Sequence, residues 1–383
     1  MPLMINDDGI YNSDTFSLSC SEALLLGTAL GNIHDDILVG CNQKDMPVYH
    51  ALTAGILSKG KNVWNCGECT QSQIRFALQT TKINCGIYID HSFKNIKVIP
   101  FSKFGFTLSF NEENELLENM KTASDDDISE PKGKITDSST LCDMYLSECR
   151  HIFKNLPQNT SVQINSGSRI IKNFFAPMFS ECKPDFYKDI VFNISSDGMK
   201  VSAYCDSSGF IFYEKLLLIC CKNEFEKGND IPLPHSFPML ADMIATDKNR
   251  YTYRFDPYSD SFEDTSRKSV TLDYPFLSDG ISLIGKIFEI MNEKSKTLSE
   301  LANELPHFTT TMKYINIKKD PDETIKKITD SSENNVCYTD NNGRILAKKS
   351  KSGKSLIFLA ESYSSESAEE FCNNWLLKSN ITT

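Results

Sequence analysis

The chain has 383 residues, 40% of them hydrophobic and 24% charged, with a formal net charge of −11. That length suits two to four domains with true apolar cores. The acidic balance excludes a general nucleic-acid or anionic-membrane binder, which needs basic surface for phosphate contact. No apolar run reaches the roughly 18–20 residues of a membrane span; the longest, Phe210–Cys221, is broken by Glu214 and Lys215. No basic segment followed by an apolar core opens the chain. Thirteen cysteines, scattered through runs such as Leu216–Cys221, read as reduced core thiols. The expected location is the cytoplasm.

In chain order, apolar spacing predicts a helix over Ser19–Leu30, a strand over Asp36–Gly40 and a helix over Val48–Ser58. A strand at Asn62–Cys66, a helix at Gln71–Thr80 and a strand at Cys85–Ile89 follow. This alternation implies a mostly parallel sheet with helices on its faces. Polar, acidic Asn111–Asp137 reads as a linker with one helix at Glu112–Lys121. Helices are then expected at Asp143–Leu156 and Arg169–Cys182, strands at Ser161–Asn165 and Ile190–Ile194, and a hairpin of Val201–Cys205 and Phe210–Tyr213 around Asp206–Gly209. A further unit has strands at Ile231–Leu233 and Arg250–Phe255 around helix Pro238–Thr246. Asp279–Asn292 is an amphipathic helix, and Thr297–Glu304 opens on a capping box. The tail reads as α+β: helix Pro321–Ile328, strands Val336–Thr339, Arg344–Lys348 and Ser355–Ala360, helix Ser365–Leu377.

Several local matches share one order. Gly9-Ile10 precedes Glu22–Leu30; Ile37-Leu38-Val39-Gly40 precedes Ala51-Leu52-Thr53-Ala54-Gly55-Ile56 and Gly60–Val63; Leu277-Ser278-Asp279-Gly280-Ile281 leads into a long helix. From Gly9 to about Leu377 this layout resembles the α-D-phosphohexomutase family. The resemblance implies an α/β protein of three related α/β domains, with mixed, mostly parallel sheets, and a smaller C-terminal α+β domain. The implied boundaries are 1–110, a linker at 111–140, a shortened second domain at 141–222, a third at 223–307 and a fourth at 308–383. The shortening falls between Cys182 and Ile190.

The same resemblance marks where functional loops should lie. Asp90-His91-Ser92-Phe93-Lys94 follows the strand that carries the family's phosphoserine, so Ser92 takes the nucleophile position and His91 stands beside it as a candidate base. The family's metal loop carries three aspartates at alternate positions for Mg²⁺, a hard cation that takes carboxylate oxygens. Here those positions are Ser196, Gly198 and Lys200, with Asp197 the one carboxylate nearby. The sugar loop maps to Phe262–Tyr274, where Glu263 and Ser266 are the candidates. The phosphate loop maps to Lys348-Lys349-Ser350-Lys351-Ser352-Gly353-Lys354, whose Lys348, Ser350, Lys351, Ser352 and Lys354 can hold phosphate as point charges and donors without arginine's fork. In the first domain Gly40-Cys41-Asn42-Gln43-Lys44 replaces a charged loop. Cys66-Gly67-Glu68-Cys69 has the spacing of a redox or metal half-site but no second pair, and reads as chance.

Phosphoryl transfer draws on charge neutralisation by metal and arginine, worth about 10³–10⁵ in rate for one arginine. The expectation is therefore a catalytically impaired or inactive homologue that binds a hexose phosphate or another protein, an active mutase among the candidates. No cofactor is expected. The alternative is an active phosphoglucomutase or phosphomannomutase acting through Ser92, which would need Mg²⁺.

Overall fold

The computed structural model describes residues 3–6, 9–12, 14–43, 46–92, 95–123, 133–153, 160–179, 189–316, 335–340, 343–349 and 355–378. The chain separates into two compact units. One comprises Met1–Leu216, Pro257–Phe262 and Tyr274–Ser299, the other Leu217–Asp256, Glu263–Asp273 and Glu300–Thr383.

The first unit opens with β1 (Leu3–Asn6), β2 (Gly9–Asn12), β3 (Asp36–Cys41), β4 (Asn62–Glu68), β5 (Cys85–Ser92), β6 (Asn95–Phe101) and β7 (Ile135–Asp137). They form one sheet in the order β1-β2-β6-β5-β3-β4-β7. Strands β5, β3, β4 and β7 run parallel, while β6, β2 and β1 are added antiparallel. Runs such as Ile37-Leu38-Val39 and Ile87-Tyr88-Ile89 are apolar throughout because both faces are covered. Ile37, Val39, Ile87 and Ile89 pack with Leu26 and Leu30 of α1 (Cys20–Ile33) and Leu52 and Ile56 of α2 (Pro47–Ser58). Leu38 and Tyr88, one residue out of phase, pack with Ile74 and Leu78 of α3 (Gln71–Thr80). The segment expected as a linker contributes α4 (Phe110–Thr122), packed on α1, and β7, paired with β4.

A second sheet holds β8 (Val162–Ser166), β9 (Ile190–Ile194), β10 (Val201–Cys205) and β11 (Gly209–Ile211) in the order β11-β10-β9-β8, with β8 and β9 parallel. Around it lie α5 (Ser139–Ile152), α6 (Arg169–Phe179) and α10 (Gly280–Lys294). Their core is aromatic: Phe174 and Phe175 meet edge-to-face at 4.8 Å, Phe153 and Phe175 at 5.3 Å, and Phe192 and Phe288 at 5.7 Å.

In the second unit β12 (Ile231–Pro234) and β13 (Thr252–Phe255) pair in parallel around α8 (Leu240–Asp247). The strands β14 (Thr309–Asn316), β15 (Asn335–Asp340), β16 (Gly343–Lys349) and β17 (Ser355–Ser362) form an antiparallel sheet, order β14-β17-β16-β15. Phe358 and Ala360 pack there with Cys372 of α12 (Ser365–Lys378). A buried ion pair, Arg344 Nε to Glu361 Oε2 at 3.0 Å, is tied in: Arg344 donates to Phe237 O, and Met239 N to Glu361 Oε2. Burial raises the Glu361 carboxyl against the opposing pull of Arg344.

The remaining helices are α7 (Tyr213–Glu226), α9 (Phe262–Val270) and α11 (Leu298–Asn303). The apolar run at Phe210–Cys221 thus belongs mostly to α7. Among the described residues no helix is long and apolar enough to cross a membrane. The helix expected at Pro321–Ile328 lies outside the described residues.

Candidate functional site

Ser92 stands at the end of β5, where an open loop was expected. The strand runs three residues past Ile89, because β6 pairs with it as far as Ser92 opposite Asn95. Asp90, 8% exposed, organises this end. It accepts the Ser92 hydroxyl at 2.9 and 3.0 Å and Asn42 Nδ2 at 2.7 Å, and Lys97 Nζ lies 3.7 Å away. Asn42 also takes His91 N at 2.9 Å and gives its Nδ2 to His91 O at 3.1 Å. The residues that replace the charged loop of the first domain therefore wire the strand end shut.

His91, the candidate base, lies on the opposite face of the strand from Ser92, since strand neighbours alternate, and its Nδ1 is 2.7 Å from Gln43 Oε1. Asp90 is the carboxylate that holds the hydroxyl, and sequence reading missed it. The i, i+2 spacing of Asp90 and Ser92 on one strand was the available signal.

The segment Ser195–Lys200 is a tight reversal between antiparallel β9 and β10. Ser195 N donates to Lys200 O at 2.9 Å and Gly198 N to Ser195 O at 3.0 Å. Asp197 Oδ1 accepts the Ser195 hydroxyl and, at 2.9 Å, Met199 N. Its carboxylate thus closes its own turn. Ser196 and Lys200 are exposed, and Gly198 adopts φ +84°, which a side chain resists. One engaged carboxylate with a lysine nearby is a donor set that does not fit Mg²⁺, which takes several oxygen ligands. Among the described residues no group of three His, Cys, Asp or Glu is placed to hold a metal.

The backbone of this reversal has a structural task instead. Gln71 N, at the start of α3, donates to Asp197 O at 3.0 Å. Ser72 Oγ donates to Gly198 O at 3.2 Å, and Gly280 N donates to the same oxygen at 2.8 Å. Two helix N-termini, whose first N–H groups lack partners inside the helix, are satisfied by one turn. Asp279 caps α10 by accepting Ile281 N at 2.8 Å and Ser282 N at 3.2 Å. A side chain at Gly280 would fall 2.8 Å from Gly198 O and 2.9 Å from Val201 Cγ2. Burial raises the Asp279 carboxyl, opposed by Tyr145, the two capping amides and Arg75. Burial in turn lowers the Arg75 guanidinium.

The Tyr88 side chain on β5 is fully buried, and among the described residues its hydroxyl has no hydrogen-bond partner. Burial pushes the phenol far up, reinforced by Cys69, Asp90 and Asp197.

Glu263 and Ser266 sit on α9, a helix where a sugar loop was expected. Glu263 is exposed and ion-paired with Arg267, and Ser266 O accepts the Ser269 hydroxyl at 2.7 Å. Capping acids Glu263 and Asp264 and late-turn Arg267 and Lys268 suit a helix better than a loop. Lys348 lies within β16, paired with Asn335 and Ile357, rather than in a loop. Ser350, Lys351, Ser352 and Lys354 lie outside the described residues.

Two mixed sheets, a parallel pair around a helix and an antiparallel α+β sheet make this an α/β fold of the phosphosugar-mutase kind. No protein-family model matches the chain. It is 20% identical over 380 residues to phosphoglucosamine mutase of Oceanobacillus iheyensis, covering 84% of each chain. Its fold is similar to a phosphoglucomutase/phosphomannomutase family protein of Burkholderia thailandensis (TM-score 0.72, 12% identity, 94% and 93% covered). It is also similar to a putative phosphomannomutase of Thermus thermophilus (TM-score 0.64, 12% identity, 94% and 95% covered). The chain shares the fold of these phosphohexomutase structures.

Proposed function

We propose that this protein is a phosphohexomutase homologue without significant mutase turnover, whose role in carbohydrate metabolism is to bind a hexose phosphate or a partner protein. The observation that carries this reading is the Asp197 turn: the one carboxylate of the metal-loop position accepts the Ser195 hydroxyl and Met199 N. Without Mg²⁺ the transferring phosphoryl group would lose several kcal/mol of charge stabilisation.

The surroundings of Ser92 support the same reading. A phosphoryl group there would bring about −1.5 to −2 charges beside Asp90. At 4 Å and an effective dielectric near 20, each pair of like unit charges costs about 4 kcal/mol. Lys97, 3.7 Å from Asp90, offsets only part of that.

The experiment is a mutase assay with glucose 1-phosphate, mannose 1-phosphate and glucosamine 1-phosphate, a sugar bisphosphate activator and Mg²⁺. Turnover at background is expected. Calorimetry with the same sugar phosphates, on wild type and on Lys348→Ala/Lys351→Ala/Lys354→Ala, tests the binding role. Salt-sensitive binding lost in the variant supports the phosphosugar reading. Absence of binding by wild type leaves the partner-protein reading. Mg²⁺-dependent turnover would overturn both and restore the active-mutase alternative.

A further inference from the structure

The pair Cys66 and Cys69, four positions of one segment, gains a third thiol in the fold. Cys142 comes from α5, and its Sγ lies 3.9 Å from Cys66 O. Cys66, Cys69 and Cys142 pack in one buried cluster. The three are 2%, 1% and 5% exposed, respectively. The cluster is close-packed: a Cβ on Gly40 would fall 2.3 Å from Cys69 Sγ and 3.4 Å from Cys66 Cβ. All three are free thiols.

We propose that Cys142, Cys66 and Cys69 form a peroxide-oxidisable site in which Cys142 forms a disulfide with Cys66 or Cys69. The Cys142 thiolate attacks a peroxide oxygen, the O–O bond breaks, and Cys142 becomes a sulfenic acid while the peroxide is reduced to water or an alcohol. The neighbouring thiol then attacks the Cys142 sulfur, and water leaves with the thiol's proton. Two thiols lose two electrons in all, and the peroxide takes them up.

Electrostatics favours Cys142 as the attacking group. The neighbouring Cys66 and Cys69 thiols pull the Cys142 thiol down against the opposing effect of burial, while Cys66 and Cys69 are themselves pushed up. Cys142 also lies near the N-terminal end of α5, where a thiolate is stabilised. Buried thiols are ordinarily inert, so oxidation here requires local opening. The strand that carries Cys66 is flanked by edge strand β7, which has three residues, all exposed, and such an edge is where opening is least costly. A disulfide would tie α5 to the segment that leads into Thr70, the N-cap of α3. It would thereby brace the helix end that holds the Asp197 turn.

The test treats fully reduced protein, with exposed Cys20 changed to serine to prevent cross-linking between chains, with hydrogen peroxide. Remaining thiols are alkylated under denaturing conditions and the peptides are mapped. The expected result is an intramolecular Cys142–Cys66 or Cys142–Cys69 bridge, reversed by a thiol reductant. It should come with a rise in melting temperature of about 5–10 °C, because the bridge closes a long loop. Cys142→Ser should abolish bridge and shift, and Cys149→Ser, a buried thiol further along the same helix, should abolish neither. Should Cys142→Ser fail to fold, the map of the parent protein decides alone. Free, alkylatable Cys142 after peroxide, pairing with any other cysteine, or direct passage to sulfinic acid would each overturn the proposal.

Discussion

The turns Ser195–Lys200 and Leu277–Ile281 meet backbone to backbone, yet they differ in how far their sequences resemble phosphohexomutase loops. The first has none of the three aspartates expected at its alternate positions. The second is the best local match in the chain. Both differences follow from what each turn does. Asp279 caps α10 with its side chain, and Gly280 leaves room for the carbonyl of Gly198. That task needs these residue types. The first turn supplies Asp197 O and Gly198 O to two helix ends, a backbone task that tolerates other side chains. The joint thus constrains the backbone of the first turn and leaves its side chains free to vary.

Substitutions at the joint test this contrast. Gly280→Val forces a side chain against Gly198 O and Val201, and should destabilise by about 2–3 kcal/mol, read as a lowered urea midpoint. A weak effect would mean that the turns do not depend on close approach. Placing aspartates there, as Ser196→Asp/Gly198→Asp/Lys200→Asp, should cost about 2 kcal/mol, since Gly198 holds φ +84° and a Cβ on it would fall 3.0 Å from Ser72 Oγ. Calorimetry should still find no Mg²⁺ site; stoichiometric binding would show that only the letters were missing. Asp279→Ala removes the cap of α10 and should cost about 1.5 kcal/mol. Asp197→Ala should cost less, about 1 kcal/mol, through loss of the contacts from Ser195 and Met199.

The smallest effect is on pH dependence. Burial raises the Asp279 carboxyl above its ordinary 3.8. A raised carboxyl favours folding fully below the unfolded value, and that contribution is lost as pH rises through the folded value. Asp279→Asn cannot ionise. Stability of wild type relative to Asp279→Asn should therefore decline as pH rises from about 4. A flat difference would show that the carboxyl titrates alike in both states.

The regular parts of this fold were legible in the sequence. The apolar spacing of α1, preceded by Ser19 and Glu22, and the run Ile37-Leu38-Val39 each carried a local signal. Polar Asp90-His91-Ser92 carried none for a strand, because what extends β5 is pairing with β6 and the clasp of Asn42, 48 positions away from Asp90. The helix α9 was hidden by reading its segment as a sugar loop, although its charges were ordered for a helix. The approach of Cys142 to Cys66, 76 positions apart, has no local signature at all. Nothing in the candidate site's sequence showed that Asp90 and Asp197 hold the hydroxyls of their own loops.

The most direct measurement is the phosphorylation state of Ser92 after incubation with a hexose bisphosphate and Mg²⁺, read by intact and peptide mass spectrometry beside an active mutase. With Ser92 bonded to Asp90 and no metal site at Asp197, the account predicts an unmodified Ser92 while the control is phosphorylated. A phosphorylated Ser92 that passes its phosphoryl group to a hexose phosphate would contradict it.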